Sequence, residues 1–191
     1  MFCPTCRAVQ PPGDADPFTR LGFAPVFALD RAELDRRYFA AQRQLHPDRF
    51  ATRSARERAI SQSQAVSLND AYETLKDPLA RACALLKRAG VAKTPDRDHT
   101  IDDPALLMEQ MERRETLAEA DAPEGVARIE KETAADIEHA IAAIGAAFVR
   151  DDIAAATHET TRLRYLTKLA DDARALRQRL AQRRPAAEQA G

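Results

Sequence analysis

His46-Pro47-Asp48 lies between two stretches whose apolar residues recur at helical spacing, and it decides how the first half of the chain folds. The helix before it is predicted to begin at Asp30, since that side chain can accept the N–H of Glu33. The same helix is predicted to end at His46, because a proline disfavours the α conformation in the residue before it. A second helix is predicted from about residue 54 to residue 76. The pattern therefore predicts two antiparallel helices joined by a His-Pro-Asp loop.

The composition favours an all-helical protein. The 191 residues include 39 alanines but only 7 isoleucines and 6 valines. Alanine has the highest helix propensity, whereas β-branched residues favour strands. A buried parallel sheet needs runs of valine and isoleucine, and the sequence has none. The composition therefore argues against an α/β enzyme built on such a sheet.

Charge is distributed unevenly along the chain. The formal net charge of −1 argues against bulk electrostatic binding of DNA or RNA. Residues 16–90 carry a net charge of +4, whereas residues 91–140 carry −8. The change follows Gly90, so the polar, proline-containing segment 91–100 is predicted to be a linker between two domains. Residues 184–191 are predicted to form a disordered tail.

The sequence is expected to belong to a cytoplasmic protein. No apolar stretch approaches the length of a membrane span, and the N-terminus lacks the pattern of a secretory signal. The three cysteines are an odd number and do not make a disulfide framework.

The first domain, residues 15–90, resembles a J-domain. The resemblance rests on three stretches that occur in order along the chain: residues 43–50, 68–75 and 77–81. It implies a helical hairpin that docks on an ATP-hydrolysing chaperone of the HscA/DnaK class and stimulates its ATPase activity.

Six residues of this domain are candidates for docking on the chaperone. Pro47 restricts the loop, so that less order is lost on binding, and Asp48 can form a charge-assisted pair with an arginine of the partner. The helix before the loop could steer the domain toward an acidic surface through Arg36, Arg37 and Arg43. His46 completes the loop. We do not expect His46 and Asp48 to act as an acid–base pair, because the helical pattern supplies neither a nucleophile nor a cleft. The chain is therefore expected not to be an enzyme.

The second domain, residues 101–183, is predicted to be an antiparallel three-helix bundle. Its apolar residues recur at helical spacing in three successive stretches. On the first of them, Leu106 and Leu117 fall on the core stripe, whereas Met108 falls among glutamates. Core packing would not place an apolar side chain in that acidic arc.

This bundle looks like the C-terminal domain of the HscB family, the J-type co-chaperones of iron–sulfur cluster biogenesis. The similar stretches are residues 99–101, 106–112 and 163–169. The resemblance implies that the bundle binds an IscU-type scaffold protein, which carries the nascent cluster. The implied binding residues form an apolar patch with an acidic rim: Leu107, Met108, Met111 and Tyr165, with Glu112, Glu115 and Glu119. For Leu107 and Met111, periodicity alone leaves a place in the core as an equal alternative.

The N-terminal extension, residues 1–14, contains Cys3-Pro4-Thr5-Cys6, which has the spacing of half a zinc site. A structural zinc needs four ligands, so three alternatives stay open. The site could be completed by an upstream cysteine pair or shared between two chains, or the segment could be a disordered, oxidisable tail without metal. No other cofactor is expected.

The sequence therefore predicts a co-chaperone that links an ATPase chaperone to an iron–sulfur scaffold. Two alternatives remain. The chain could be a J-domain protein that serves a general chaperone and other clients, or a zinc- or redox-responsive protein that acts through Cys3 and Cys6.

Overall fold

The computed structural model describes residues 1–6, 8–95 and 103–188. The described residues contain helices and a single isolated antiparallel bridge, between Phe2 and Val9, but no β-strand. The all-helical fold expected from the composition is therefore confirmed. The chain divides into two compact units, Met1–Ala89 and Gly90–Gly191, at the point where the charge of the sequence changes sign.

The described part of the first unit has four α-helices and a 3-10 turn between the second and third. They are α1 (Pro17–Leu21), α2 (Arg31–Leu45), the turn Pro47–Phe50, α3 (Ala55–Lys76) and α4 (Pro78–Arg88). The helices α2 and α3 are antiparallel, since the Tyr72 hydroxyl near the end of α3 donates to Asp35 near the start of α2 (2.8 Å). The predicted helical hairpin is thus confirmed.

Side chains cap these helices at their first turns. Asp30 accepts the backbone N–H of Glu33, as the sequence predicts, and also that of Ala32. A reciprocal capping box lies at the start of α3, where Ser54 and Glu57 bond to each other's backbone N–H. At the start of α4, Asp77 accepts the N–H of Ala80 and a proline occupies the first helical position.

The second unit contains α5 (Pro104–Ala118), α6 (Pro123–Val149) and α7 (Ile153–Glu188). A tight turn joins α6 to α7, in which Asp151 adopts the left-handed conformation at φ 56° that aspartate tolerates better than most residues. The three helices form the predicted antiparallel bundle. Its core includes five buried side chains from all three helices: Leu117, Val126, Ile129, Leu169 and Ala173.

The last helix is longer than the sequence pattern indicates. It continues to Glu188, past residue 184, where the disordered tail is predicted to begin. Alanine and glutamate follow Pro185, and both are strong helix formers. Residues 189–191 lie outside the described residues. So do residues 96–100 of the predicted linker and residues 99–101, the first of the three stretches on which the resemblance of the second domain rests. No helix of the described part is long and apolar enough to cross a lipid bilayer.

Candidate functional site

The His-Pro-Asp loop is a 3-10 turn that presents two polar side chains to solvent. His46 is the C-terminal cap of α2, and its Nδ1 atom accepts the backbone N–H of Asp48 at 3.3 Å. One carboxylate oxygen of Asp48 lies 3.4 Å from the same nitrogen. Both side chains are exposed. The imidazole and the carboxylate are therefore held close together and are both available to a partner.

Two buried groups fix the ends of this loop. Phe50 closes its far end in the core of the unit. At its near end, the Ser61 hydroxyl of α3 donates to the carbonyl of Leu45 at 2.6 Å, and both residues are fully buried. Leu45 is the last residue of α2, so this bond satisfies one of the carbonyls that a helix leaves unpaired at its C-terminus. The sequence pattern does not single out Ser61 as a core residue. Ser61 nevertheless shares a helix face with the core residues Leu68 and Leu75, and that alignment is a signal by which it could have been found.

We expect Ser61→Ala to lower the free energy of unfolding by about 1–2 kcal/mol, because the Leu45 carbonyl would then be buried without a partner. Chemical denaturation followed by circular dichroism measures this change. Ser63→Ala is the matched control, since Ser63 is exposed and bonds only within its own helix, to Ala59. Equal stabilities of the two variants would contradict the role given to Ser61.

The three candidate arginines of α2 are not equivalent. Arg36 and Arg43 are exposed. Arg37 is partly buried, and its guanidinium bonds to Glu33 and the Gly22 carbonyl and lies 4.2 Å from the centre of the Phe23 ring. Hydrogen bonds from Arg37 and Arg36 hold the pKa of Glu33 below its ordinary value. Arg37 is thus engaged with distant residues of its own unit. Arg36 also bonds to Glu33 (2.7 Å) but stays exposed, so the open cationic face consists of Arg36 and Arg43.

The candidate patch on α5 is exposed to solvent. The exposed fractions are 43% for Leu107, 62% for Met108 and 63% for Met111. The core positions of this helix are occupied by Leu106 and Leu117. The alternative that Leu107 and Met111 belong to the core is therefore wrong.

The acidic rim and the tyrosine take different positions around this patch. Glu112, Glu115 and Glu119 are exposed on α5 and at its C-terminal cap. Tyr165 of α7 is half-buried at the seam between α5 and α7, where it lines a cavity of about 20 Å³ together with Leu106 and other residues. A cavity of that size has room for about one water molecule.

An ionic cluster beneath the patch attaches α5 to the other two helices. Glu109 pairs with Arg113 (2.9 Å) and with Arg162 of α7 (3.0 Å), and Arg113 also pairs with Asp136 of α6 (2.7 Å). Burial of the Glu109 carboxylate disfavours its charge, but the hydrogen bonds and charges of the two arginines outweigh burial and hold its pKa below the ordinary value. Glu109 and Arg113 are four residues apart on one helix face, which is the only local signal of this cluster.

The N-terminal extension is an ordered hairpin in the part that the structure describes. The backbone N–H of Cys3 donates to Ala8 (2.9 Å), and Val9 is buried. The Gln64 side chain of α3 donates to the Gln10 carbonyl at 2.7 Å and so ties the hairpin to the helical core. The alternative of a disordered tail therefore does not match these residues.

The cysteine pair does not complete a metal site within this part of the chain. In residues 1–6, 8–95 and 103–188, no group of three or more histidine, cysteine or acidic side chains is placed to hold a metal ion. A structural zinc takes four ligands, and Cys3 and Cys6 supply two. The described residues of one chain thus do not fit a closed zinc site.

We expect Cys3 to be alkylated by iodoacetamide at a lower pH than an unstructured cysteine peptide. The backbone N–H groups of Cys6 and Thr5 and the Cys6 thiol hydrogen-bond to Cys3 and lower its pKa, and the thiolate is the reactive form. Peptide mapping by mass spectrometry over a pH series measures this. The urea-unfolded chain is the control, because it lacks the hairpin, and coincident pH profiles would contradict the expectation.

Comparisons with known proteins address both units. Residues 102–174 match the family model described as the HSCB C-terminal oligomerisation domain. The human iron–sulfur cluster co-chaperone protein HscB is 37% identical over 169 residues, which cover 88% of this chain and 72% of that protein. The co-chaperone protein HscB homolog of Neisseria meningitidis is 36% identical over 159 residues, which cover 81% of this chain and 95% of that protein.

A comparison with solved structures points to the same kind of relative. The crystal structure of human co-chaperone protein HscB superposes with a TM-score of 0.84 at 35% identity, covering 91% of this chain and 88% of that one. A match that covers 91% of this chain includes residues of both units, so the likeness is not confined to one of them. The chain therefore belongs to the HscB family of co-chaperones.

Proposed function

We propose that this chain is a co-chaperone of iron–sulfur cluster biogenesis that joins an ATPase chaperone to a scaffold protein. Its first unit would stimulate a chaperone of the HscA/DnaK class, and its second unit would bind and deliver an IscU-type scaffold. The observation that carries the proposal is the outward face of α5, where Leu107, Met108 and Met111 are exposed although the same helix has a separate buried face. The names and folds of the HscB relatives support the same assignment.

The exposed patch has the chemistry of a protein-binding surface. Methionine side chains are flexible and polarisable, so they adapt to a partner's surface, and contact between apolar groups supplies most of the binding energy. Glutamates around the patch favour a partner with basic residues at the edge of its interface. The acidic balance of residues 91–140 would add long-range attraction for such a partner.

The His-Pro-Asp loop has the chemistry of a docking element. The Asp48 carboxylate is exposed and can accept a bidentate hydrogen bond from an arginine of the chaperone. The 3-10 turn and the Ser61 bond restrict the loop before binding, which lowers the entropic cost of association. Because both docking elements lie on one chain, a bound scaffold has a high effective concentration at the chaperone.

We also propose that the chain acts in the cytoplasm and has no catalytic activity of its own. Its three cysteines are an odd number and do not make a disulfide framework, which is compatible with a reducing compartment. The polar groups of the His-Pro-Asp loop lie in an exposed turn, whereas general acid–base catalysis needs a positioned substrate in a cleft.

The proposal is tested by measuring ATP hydrolysis by purified HscA-class and DnaK-class chaperones with the chain, with and without scaffold. We expect the chain to stimulate the HscA-class chaperone, the scaffold to increase that stimulation, and the scaffold to bind the chain directly. Stimulation of the DnaK-class chaperone alone, without scaffold binding, would favour a general J-domain protein. Loss of stimulation in a Cys3→Ser/Cys6→Ser variant would favour a zinc- or redox-responsive protein instead.

A further inference from the structure

An aromatic side chain lies in the middle of the open cationic face of α2. Phe39 is 50% exposed, three residues after Arg36 and four residues before Arg43. Residues at these spacings are neighbours on the surface of a helix. The exposed ring therefore lies between two exposed arginines, on the helix that leads into the His-Pro-Asp loop.

A fixed platform supports this ring from one side. The Phe39 ring centre lies 5.2 Å from that of Tyr38, at an interplanar angle of 59°. Tyr38 is in turn stacked on Tyr72 with ring centres 4.1 Å apart, and its hydroxyl donates to Asn69 of α3 at 2.8 Å. Because Tyr38 is held at both its ring and its hydroxyl, Phe39 loses little freedom when a partner covers it.

Phe39 differs from Val66, another exposed apolar residue of the same unit, in the side chains that surround it. Val66 on α3 is 56% exposed, but its neighbours at helical spacing are Gln62, Ser63, Asn69 and Asp70, none of them cationic. Single exposed apolar residues are common on protein surfaces and need no partner. An exposed aromatic ring between two arginines has the composition of an interface hot spot, in which aromatic residues and arginine are enriched.

We propose that Phe39 is the apolar anchor of the chaperone-docking face, entering an apolar pocket with an acidic rim on the ATPase chaperone. The inference rests on the proposed function and adds the residue that gives the face its short-range affinity. Arg36 and Arg43 pair with the acidic rim and orient the approach, and burial of the ring supplies the binding energy at the centre. The positive net charge of residues 16–90 matches a partner of this chemistry.

The test compares Phe39→Ala, Phe39→Tyr and Val66→Ala by titrating each variant into the HscA-class chaperone and measuring ATP hydrolysis. For Phe39→Ala we expect the concentration giving half-maximal stimulation to rise about tenfold, as for loss of an interface hot spot, with an unchanged maximal rate. Phe39→Tyr keeps the ring and is expected to stay within about twofold of the wild type, as is Val66→Ala.

Two outcomes would overturn the inference: a half-maximal concentration for Phe39→Ala that equals the wild-type value, or an equal rise for Val66→Ala. Alanine is the strongest helix former, so the exposed position should tolerate it, and circular dichroism checks the helix content. If Phe39→Ala nevertheless lost helicity, Phe39→Gln would replace it in the titration, with the same expected rise in the half-maximal concentration. Wild-type chain that fails to stimulate any chaperone would refute the proposed function, whereas normal wild-type stimulation with an unaffected Phe39→Ala refutes only the anchor.

Discussion

The His46→Gln variant is expected to lose stimulation of the chaperone ATPase, down to the basal rate, while its affinity for the scaffold stays at the wild-type value. In the structure, His46 caps the C-terminus of α2 and its Nδ1 atom accepts the N–H of Asp48. Glutamine has an additional rotatable bond and no ring, so it cannot hold the turn in the same way or present an imidazole. Single-turnover ATP hydrolysis, together with scaffold binding by calorimetry, measures both properties on the same preparation.

The matched control is His139→Gln, which makes the same substitution at an exposed histidine of α6. It should leave both ATP hydrolysis and scaffold binding unchanged. Stimulation that survives in His46→Gln would exclude the loop as the element that activates the chaperone. A fall in scaffold affinity in that variant would show that the two docking functions are not separable.

Replacing Leu107, Met108 and Met111 together by alanine is expected to weaken scaffold binding about a hundredfold, as for loss of several interface hot spots. The three side chains are exposed, so the substitution removes apolar contact area from the partner's interface without opening a cavity in the bundle. Alanine also favours the helix, and we expect the thermal unfolding of the bundle to be unchanged. Calorimetric titration with the scaffold measures the affinity, and circular dichroism measures the helix content.

Leu106, the residue before Leu107, is expected to behave in the opposite way when it is replaced by alanine. Its side chain is buried, so Leu106→Ala should lower the free energy of unfolding by about 2–5 kcal/mol, the usual cost of such a cavity. Val149→Ala, at an exposed apolar residue at the end of α6, controls for the loss of apolar surface as such and should bind the scaffold normally. Loss of helicity in the triple variant, or scaffold binding equal to that of Val149→Ala, would show that the outward face of α5 is not the binding surface.

Features with a local cause could be predicted from the sequence. The ends of α2 follow from Asp30 and Pro47, and the number of helices in the second unit follows from apolar spacing, because capping and periodicity act within a few residues. Projection around α5 also separates Met108 from the core stripe. Leu107 and Met111 lie nearer the border of that stripe, and whether a border position is covered depends on where α6 and α7 pack.

Features that join distant parts of the chain could not be predicted. Glu109 and Arg162 are 53 residues apart, and their pairing depends on how α5 lies on α7. Arg37 has the same sequence context as Arg36, yet its position on the helix directs it to Phe23 and the Gly22 carbonyl. Residue type and spacing specify that a cation is present, but the fold decides whether it remains open to a partner.

The ionic cluster of α5 also acts against a folding error. A helix with two apolar faces could dock in two rotations about its own axis, and burying Met108 and Met111 would satisfy the hydrophobic effect. That inverted rotation would move Glu109 and Arg113 to the outside and break their ion pairs with Arg162 and Asp136, which is unfavourable. The charges thereby penalise the alternative packing, in the way that polar residues set the register of coiled coils. A protein that needs an exposed apolar surface for binding can keep that surface exposed in this way, because rotating the helix to bury it is electrostatically unfavourable.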